Sequence, residues 1–256
     1  MSDDALYVYG VVKSEFDSEW KETGIEGKNV YVFNGKKFSA LVHDCKEEPY
    51  NSKDFEKIKE LIIIHNRILD RGIEGFGGVI PLRFNTIIKK GENSSAQDNL
   101  KKWFSEEQER LEKIWNKVKG KREYGIRIYY KRDKLVQEAS ESEEIKEIEK
   151  NQQGKGRGMS YLLKGKEKDK TKEIVQNKIN RLKQEFYDDA KKFADDIKTQ
   201  RSLIGLEEEK ELLLNLSILT HGQQISKIKE DLEKRMGQNF SFQMAGPFAP
   251  YSFAEV

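Results

Sequence analysis

The residues of this chain that could do chemistry are few and scattered. His43, Asp44 and Cys45 are consecutive, and a histidine beside a cysteine is the pairing that activates a nucleophilic thiol. Alternate residues of a strand share a face, so the side chains of His43 and Cys45 could point to the same side. No loop that would supply an oxyanion hole and no group that would orient the histidine accompanies them. We therefore expect Cys45 to be a small apolar residue at a strand end.

The other two histidines also favour structural roles. His65 lies on or beside the apolar stripe of a predicted helix, where a hydrogen-bonded core or boundary histidine is expected. His221 lies at a strand-to-helix turn, where helix capping is expected. Three isolated histidines and one cysteine do not have the spacing of metal ligands, so we expect neither a metal nor a cofactor.

A glycine-rich basic stretch, residues 154–158 (GKGRG), has the composition of a phosphate-binding loop. A phosphate loop needs a preceding strand and a Gly-Lys-Ser/Thr sequence that opens a helix, and neither is present. A mobile linker is the favoured interpretation. The aromatic stretch 124–130 (YGIRIYY) lacks the pattern of an RNA-binding sheet. No motif in the chain specifies an enzyme.

The composition describes a folded protein with a highly charged surface. The 256 residues suffice for one large domain or for two of about 120 residues, each with its own core. Lys and Arg number 47 against 45 Asp and Glu, so net charge gives no argument for binding nucleic acid. The single cysteine fits a reducing compartment. The longest aliphatic run, Leu61–Ile64, is far too short to span a membrane, and the acidic start does not resemble a signal peptide. We expect a soluble, cytoplasmic protein.

The first half predicts the element order β-β-β-α-β-α. Its first strand should be buried on both faces, and the hairpin after it should close on a type I′ turn at Asn34-Gly35. The first helix should begin near Ser52 and be stopped by a cluster of glycines (Gly72, Gly75, Gly77, Gly78). A second helix should begin at Ser94 or Ser95. The predicted strands are Ala5–Val12, Val30–Phe33, Phe38–Val42 and the proline-marked edge strand Val79–Phe84.

The pattern restarts after Gly120, which predicts a second domain. Its strands and helices alternate as β-α-β-β-α-β, the ferredoxin-like order with an enlarged first helical crossover. The predicted elements are a strand at 124–130, helices at 133–149 and 171–197, strands at 202–205 and 212–219, a helix at 222–236 and a strand at 240–245. The chain is thus predicted to be an α+β protein with domains 1–119 and 120–245.

The last residues, 246–256 (GPFAPYSFAEV), form a predicted tail. Pro247 and Pro250 lack backbone donors, so this segment cannot be a central strand. It nevertheless carries three aromatic residues. An aromatic tail with prolines usually docks in extended form on its own domain or on a partner.

Four blocks of the chain together resemble the gas vesicle protein F/L family. They are YVYGVV at 7–12, VIPLRFNTII at 79–88, GMSYLLKGK at 158–166 and GPFAPYSF at 246–253. The family shows a Tyr-x-Tyr-Gly-Val start, an "lPlrFGT" block, a "G-x-aYL" block and a terminal "GPWPPYSF", in this order. The chain departs from these patterns at three positions: Asn85 replaces a glycine, Phe248 a tryptophan and Ala249 a proline.

This resemblance implies an α+β N-terminal domain, a modified ferredoxin-like C-terminal domain and a role in building gas vesicles, the gas-filled protein shells that give microbes buoyancy. The implied partners are the gas vesicle shell protein and other gas vesicle accessory proteins, with no nucleic acid and no membrane. The implied location is the cytoplasm, at the gas vesicle. The residues that could contact a partner are Pro81, Arg83, Phe84, Pro247, Phe248, Pro250, Tyr251 and Phe253.

Structural roles for these residues stay open beside the functional one. Arg83 could pair with a carboxylate of its own domain, and the tail could close a seam between the domains. Two other function classes also compete with the assembly role. One is a ferredoxin-like module that binds nucleic acid, which near-neutral charge disfavours. The other is a nucleotide enzyme that uses the basic glycine loop.

Overall fold

The computed structural model describes residues 4–13, 19–152, 156–201, 210–237 and 239–255. The chain divides into two compact units, residues 1–124 together with 246–256, and residues 125–245. The end of the chain therefore clusters with the beginning. Among the helices in these described ranges, none is both long and apolar enough to cross a lipid bilayer.

The sheet of the first unit is built around a fully buried strand, β1 (Ala5–Val12). It pairs antiparallel with β4 on one side and with β5 and β6 on the other. Among the described residues the strand order is β2-β3-β4-β1-β5, with β6 also on β1. The other strands are β2 (Lys21–Thr23), β3 (Asn29–Asn34), β4 (Ser39–Cys45), β5 (Ile80–Pro81) and β6 (Ile87–Ile88).

The predicted type I′ turn at Asn34-Gly35 is wrong, although the hairpin forms. Asn34 pairs with Ser39, so four residues connect the strands, and the left-handed residue is Lys36, with φ of 79°. The Asn34 side chain accepts a hydrogen bond from the Lys36 amide at 2.9 Å, which stabilises this longer turn. Gly35 is required for another reason, because a Cβ there would lie 2.2 Å from the ring of Phe104.

The first helix, α1 (Phe55–Phe76), is longer than predicted. Its N-cap is Asp54, whose carboxylate accepts from the Glu56 amide, and not Ser52. Gly72 and Gly75 do not stop it; the helix ends at Gly77, which has φ of 71°. Gly72 lies instead where α1 approaches β4 closely, since a Cβ there would be 2.6 Å from Leu41 Cδ1.

The predicted second helix is two helices that meet at Glu107. Ser95 caps the first, α2 (Ala96–Glu106), in a capping box with Asp98. The second, α3 (Gln108–Val118), contributes Leu111, Trp115 and Val118 to the buried residues. The predicted edge strand Val79–Phe84 is also only partly a strand, because β5 covers two of its residues and a loop follows.

The second unit contains a four-stranded sheet, in the order β10-β7-β9-β8 within the described residues. Its largest helix, α6, packs Val175, Ile179 and Phe186 into the unit's core. The elements in chain order are β7 (Arg122–Tyr130), α4 (Arg132–Ser140), α5 (Glu143–Gln152), α6 (Arg157–Lys191), β8 (Asp196–Thr199), β9 (Glu211–Thr220), α7 (Gly222–Arg235) and β10 (Phe240–Phe248).

Three predictions for this unit are wrong. The helix predicted at 171–197 instead begins at Arg157 and ends at Lys191. It ends early because residues 196–199 pair with β9 as strand β8, with Ile197 opposite Ile218. The predicted helix at 133–149 is split into α4 and α5. The strand predicted at 240–245 continues to Phe248 as β10. It can include Pro247 because β10 lies at the edge of the sheet. The predicted strand at 202–205 lies outside the described residues.

The contact at Gly72 predicts a mutational effect. Gly72→Ala should lower the free energy of unfolding by about 1–3 kcal/mol, because the new methyl group must displace the buried Leu41 side chain. The matched control is Gly165→Ala in α6, where no atom lies within 4 Å of the Cβ position. That change should instead stabilise the helix by about 0.5–1 kcal/mol. Urea unfolding measures both variants, and equal shifts would contradict the role given to Gly72.

Candidate functional site

A chain of buried hydrogen bonds connects the central strand to the loop after β5. His65 Nε2 lies 3.1 Å from the carbonyl oxygen of Leu82, which can only accept, so this nitrogen carries the proton. His65 Nδ1 must then accept the hydrogen bond that the Tyr7 hydroxyl donates at 2.8 Å. The Tyr7 oxygen in turn accepts from the amide of Asn85 at 3.1 Å. The loop at 82–85 is thereby held at two points.

A second buried chain of hydrogen bonds surrounds Tyr9. Its hydroxyl accepts from the Ile25 amide at 3.0 Å and bonds His43 Nδ1 at 2.9 Å. His43 Nε2 bonds the Tyr50 hydroxyl at 2.9 Å. The imidazole is thus committed to two tyrosines, and Cys45 is buried against apolar residues at the end of β4. The structure confirms the expectation that Cys45 is a small core residue.

Tyr7, Tyr9 and His65 are neutral at ordinary pH. Burial raises the pKa of both Tyr7 and Tyr9 far above the usual value of a tyrosine, because it disfavours the phenolate. Burial also lowers the pKa of His65 to about 4, against the smaller opposing effect of its bond to Leu82. The prediction of a hydrogen-bonded core histidine at 65 is confirmed. His221, in contrast, occupies the N-cap of α7, but its side chain makes no capping hydrogen bond.

Asn85 occupies the position where the resembled family block has glycine. Its φ is 68°, in the left-handed region that glycine adopts freely and asparagine tolerates. The side chain also accepts from the Tyr50 amide and donates to the Tyr50 carbonyl, both at 2.9 Å. Asn85 therefore adopts the strained backbone and in addition joins the loop to the segment before α1.

The end of the chain packs within the first unit through partly buried polar contacts. The Ser252 amide and hydroxyl donate to the two carboxylate oxygens of Glu123 at 2.8 and 2.5 Å. The Tyr251 hydroxyl donates to the Asn66 side-chain oxygen on α1 at 3.1 Å. Ala249, Phe253 and Ala254 are buried. Residues 249–254 are consequently part of this unit's core.

A cleft of about 520 Å³ lies where three of the four family-like blocks meet. The blocks at 7–12, 79–88 and 246–253 contribute Val8, the loop after β5, and Tyr251 and Ser252. Helices α2 and α3 contribute further lining residues, including Trp103 and Arg110. Trp103 is half-buried, and the helical periodicity of the sequence does not distinguish such a position from a core position.

The two arginines of the cleft, Arg110 and Arg83, differ in whether their guanidinium groups have partners. Arg110 lies 3.5 Å from the Glu107 carboxylate and donates to the Glu255 carbonyl at 3.0 Å. Arg83 is exposed, and its guanidinium makes no hydrogen bond or ion pair with any residue in the described ranges. Within the residues that the structure describes, Arg83 therefore pairs with no carboxylate of its own domain. A cleft that combines apolar side chains with a cation that has no partner among the described residues can bind an apolar group that carries a negative charge.

The structure separates the predicted partner-contact residues by exposure. Pro81, Pro250 and Phe253 are buried, and Phe84 packs edge-on against Tyr7 and His65. Pro247 and Phe248 are exposed, Phe248 by 49%. Among the predicted residues, those that line the cleft are Pro81, Arg83 and Tyr251.

The fourth family-like block lies in the second unit, at the start of α6. Its Tyr161 and Leu162 side chains are 80% and 61% exposed. Within the described residues, no cluster of three or more histidine, cysteine, aspartate or glutamate side chains is arranged to hold a metal ion.

Comparison with known proteins identifies the family. The family model described as gas vesicle synthesis protein GvpL/GvpF matches residues 5–255. The chain belongs to this family. The resemblance seen in the four blocks is therefore confirmed.

Relatives of both the L and the F group are similar to this member of the GvpL/GvpF family. It is 27% identical to gas vesicle protein L of Haloferax mediterranei over 92% of this chain and 74% of that protein. It is 21% identical to gas vesicle protein F of Dolichospermum flosaquae over 98% of each chain. The crystal structure of GvpF from Anabaena shares the mixed helix-and-sheet fold, with a TM-score of 0.73, 20% identity and 99% coverage of each chain.

The bonds of Asn85 predict a graded effect. Asn85→Ala should lower the free energy of unfolding by about 2–4 kcal/mol, because it removes two hydrogen bonds and places a Cβ-bearing residue with no compensating bond at positive φ. Asn85→Gly removes the same bonds without the backbone strain and should cost about 1 kcal/mol less. Denaturant unfolding measures the series, and a glycine variant as stable as wild type would show that the side-chain bonds contribute nothing.

The lowered pKa of His65 predicts a pH dependence of stability. Above pH 6.5 the imidazole is neutral in both states, but between pH 6.5 and about 4 the unfolded chain binds a proton that the folded protein does not. The free energy of unfolding should therefore fall as the pH falls through this range, by about 2 kcal/mol at pH 5 from this residue alone.

The measurement compares urea unfolding at pH 7.5 and 5.0. His65→Gln should lose this part of the pH dependence, while the matched control His221→Gln, at an exposed histidine, should keep it. An identical pH dependence in wild type and His65→Gln would contradict the assignment.

Proposed function

We propose that this protein is an accessory or minor structural protein of gas vesicle assembly, which acts in the cytoplasm and at the vesicle through protein–protein contacts. Membership of the GvpL/GvpF family over residues 5–255 supports the gas vesicle role. The observation that carries the contact mechanism is the cleft of about 520 Å³ with Arg83, which has no side-chain partner in the part of the chain that the structure describes; such a cleft is suited to holding part of another protein.

The proposed partner is the hydrophobic shell subunit of the vesicle, together with other gas vesicle accessory proteins. A small, very apolar subunit aggregates through exposed apolar surface and strand edges unless another protein holds it or nucleates its polymer. A protein that contacts the subunit with a defined surface would serve either purpose.

We assign different tasks to the eight predicted partner-contact residues. The exposed ones contact the partner; they are Arg83, Pro247 and Phe248. The others keep the loop after β5 and the end of the chain in place; they are Pro81, Phe84, Pro250, Tyr251 and Phe253. Burial of Phe253 and the ring contacts of Phe84 support this division.

We also propose that the second unit is a modified ferredoxin-like domain. The order β7-α4-α5-α6-β8-β9-α7-β10 supports this, since it is β-α-β-β-α-β with three helices in the first crossover. In this proposal residues 246–256 complete the first domain as one of its elements and do not form a separate tail.

Two exposed side chains provide the test. The tagged full chain is co-expressed with the main gas vesicle shell subunit and recovered by affinity capture. Arg83→Glu and Phe248→Ser should each reduce capture of the subunit by about five- to tenfold, because they remove a cation and an apolar contact from the proposed surface. Both side chains are exposed, so the melting temperature should stay near that of wild type.

Matched controls lie in the second unit. Arg127→Glu reverses the charge of another exposed arginine, and Val136→Ser removes another exposed apolar side chain. Both should capture the subunit like wild type. Failure of the wild-type chain to capture the subunit or any other gas vesicle protein would overturn the proposed function.

A further inference from the structure

The cleft of the first unit is the right size for a short piece of another chain. Its volume of about 520 Å³ is within the range of about 300–1,000 Å³ typical of ligand sites. Leu82, Ile88, Leu100 and Trp103 supply apolar side chains to its lining. An occupant must therefore bring apolar surface into the cleft.

Most polar groups of the lining are already committed within the unit. The Thr86 hydroxyl donates to the Arg83 carbonyl at 2.7 Å, and Ser252 is held by Glu123. Arg110 is held by Glu107 and the Glu255 carbonyl. The guanidinium of Arg83 is then the cationic donor of the lining that has no partner in the described residues.

The backbone that carries Arg83 is held in place. The Leu82 carbonyl accepts from His65, and the Leu82 amide donates to the backbone carbonyl of Tyr9 at 3.0 Å. The Asn85 amide donates to the hydroxyl of Tyr7. The Thr86 amide closes the loop by donating to the Arg83 carbonyl at 3.1 Å. A preorganised loop does not lose backbone freedom on binding, so the interaction energy of the guanidinium is not spent on ordering it.

We infer that this cleft binds a short segment of a protein partner in which an apolar side chain stands next to a carboxylate. The apolar side chain enters the cleft beside Trp103, and the carboxylate, from aspartate, glutamate or a chain terminus, accepts the hydrogen bonds of Arg83. A planar guanidinium matches a carboxylate with two parallel hydrogen bonds, which apolar surroundings strengthen. The inference rests on the proposed function and names the chemistry of the contact.

Site-specific photo-cross-linking tests this inference on the full chain. The cross-linker p-benzoylphenylalanine replaces Trp103 in the cleft or, as a matched control, Phe55, an aromatic residue of the same unit that is 75% exposed and outside the cleft lining. Each variant is co-expressed with the gas vesicle shell subunit and accessory proteins, irradiated, and its cross-linked peptides are sequenced by mass spectrometry.

The position in the cleft should give several-fold more cross-link than position 55. The cross-linked segment should carry an acidic residue or chain terminus within about three residues, the reach of one arginine along an extended chain. Added to the Trp103 variant, Arg83→Gln should lower the yield about five- to tenfold, and Arg83→Lys should lower it less, because it keeps the charge but not the paired geometry.

The outcomes separate the two claims. Capture of a gas vesicle protein with equal cross-linking at both positions, with no acidic group near the cross-link, or with no effect of Arg83→Gln would overturn this inference and leave the proposed function standing. Absence of capture by the parent chain would overturn the proposed function, and the inference would fall with it.

Discussion

The structure of the first unit depends on one constraint: the hydroxyl groups of Tyr7 and Tyr9 are buried in the central strand and must be hydrogen-bonded there. Burying a hydroxyl without a hydrogen-bond partner costs about 1–3 kcal/mol of stability in proteins. The partners come from four places: α1 gives His65, β4 gives His43, the turn before β3 gives the Ile25 amide, and the loop after β5 gives the Asn85 amide. Satisfying two side chains therefore sets the positions of the segments around β1.

The cleft is a consequence of this arrangement. Hydrogen bonds of the tyrosine network fix the loop that carries Arg83, and the last residues of the chain line another part of the cleft. Those residues supply hydrogen bonds to Glu123, a carboxylate that is only 8% exposed. Removal of the chain end would thus disturb both stability and the cleft, which is why point changes at exposed side chains separate the two better than truncation does.

The sequence predicts what is local and fails where contacts are distant. Aromatic and β-branched composition identified β1, periodicity identified α1, β7 and β9, and the four family-like blocks identified the family. A glycine can be needed for a positive φ or for the close approach of another segment, and the sequence does not distinguish these two needs. Gly35 and Gly72 are needed for close approach. The predicted type I′ turn at Gly35 and the predicted helix end at Gly72 were therefore wrong. Pairing with β9 decided that residues 196–199 form a strand. Likewise, Arg110 and Trp103 join Arg83 only through tertiary packing.

The central claim is that a partner binds the first unit at the cleft formed by the loop after β5 and the end of the chain. Hydrogen–deuterium exchange of the full chain, alone and in complex with the shell subunit, tests it most directly. The account predicts slower exchange on binding in residues 82–88 and 251–255, with little change in helix α7 (Gly222–Arg235). Protection confined to the second unit, with exchange at 82–88 and 251–255 unaltered, would contradict it.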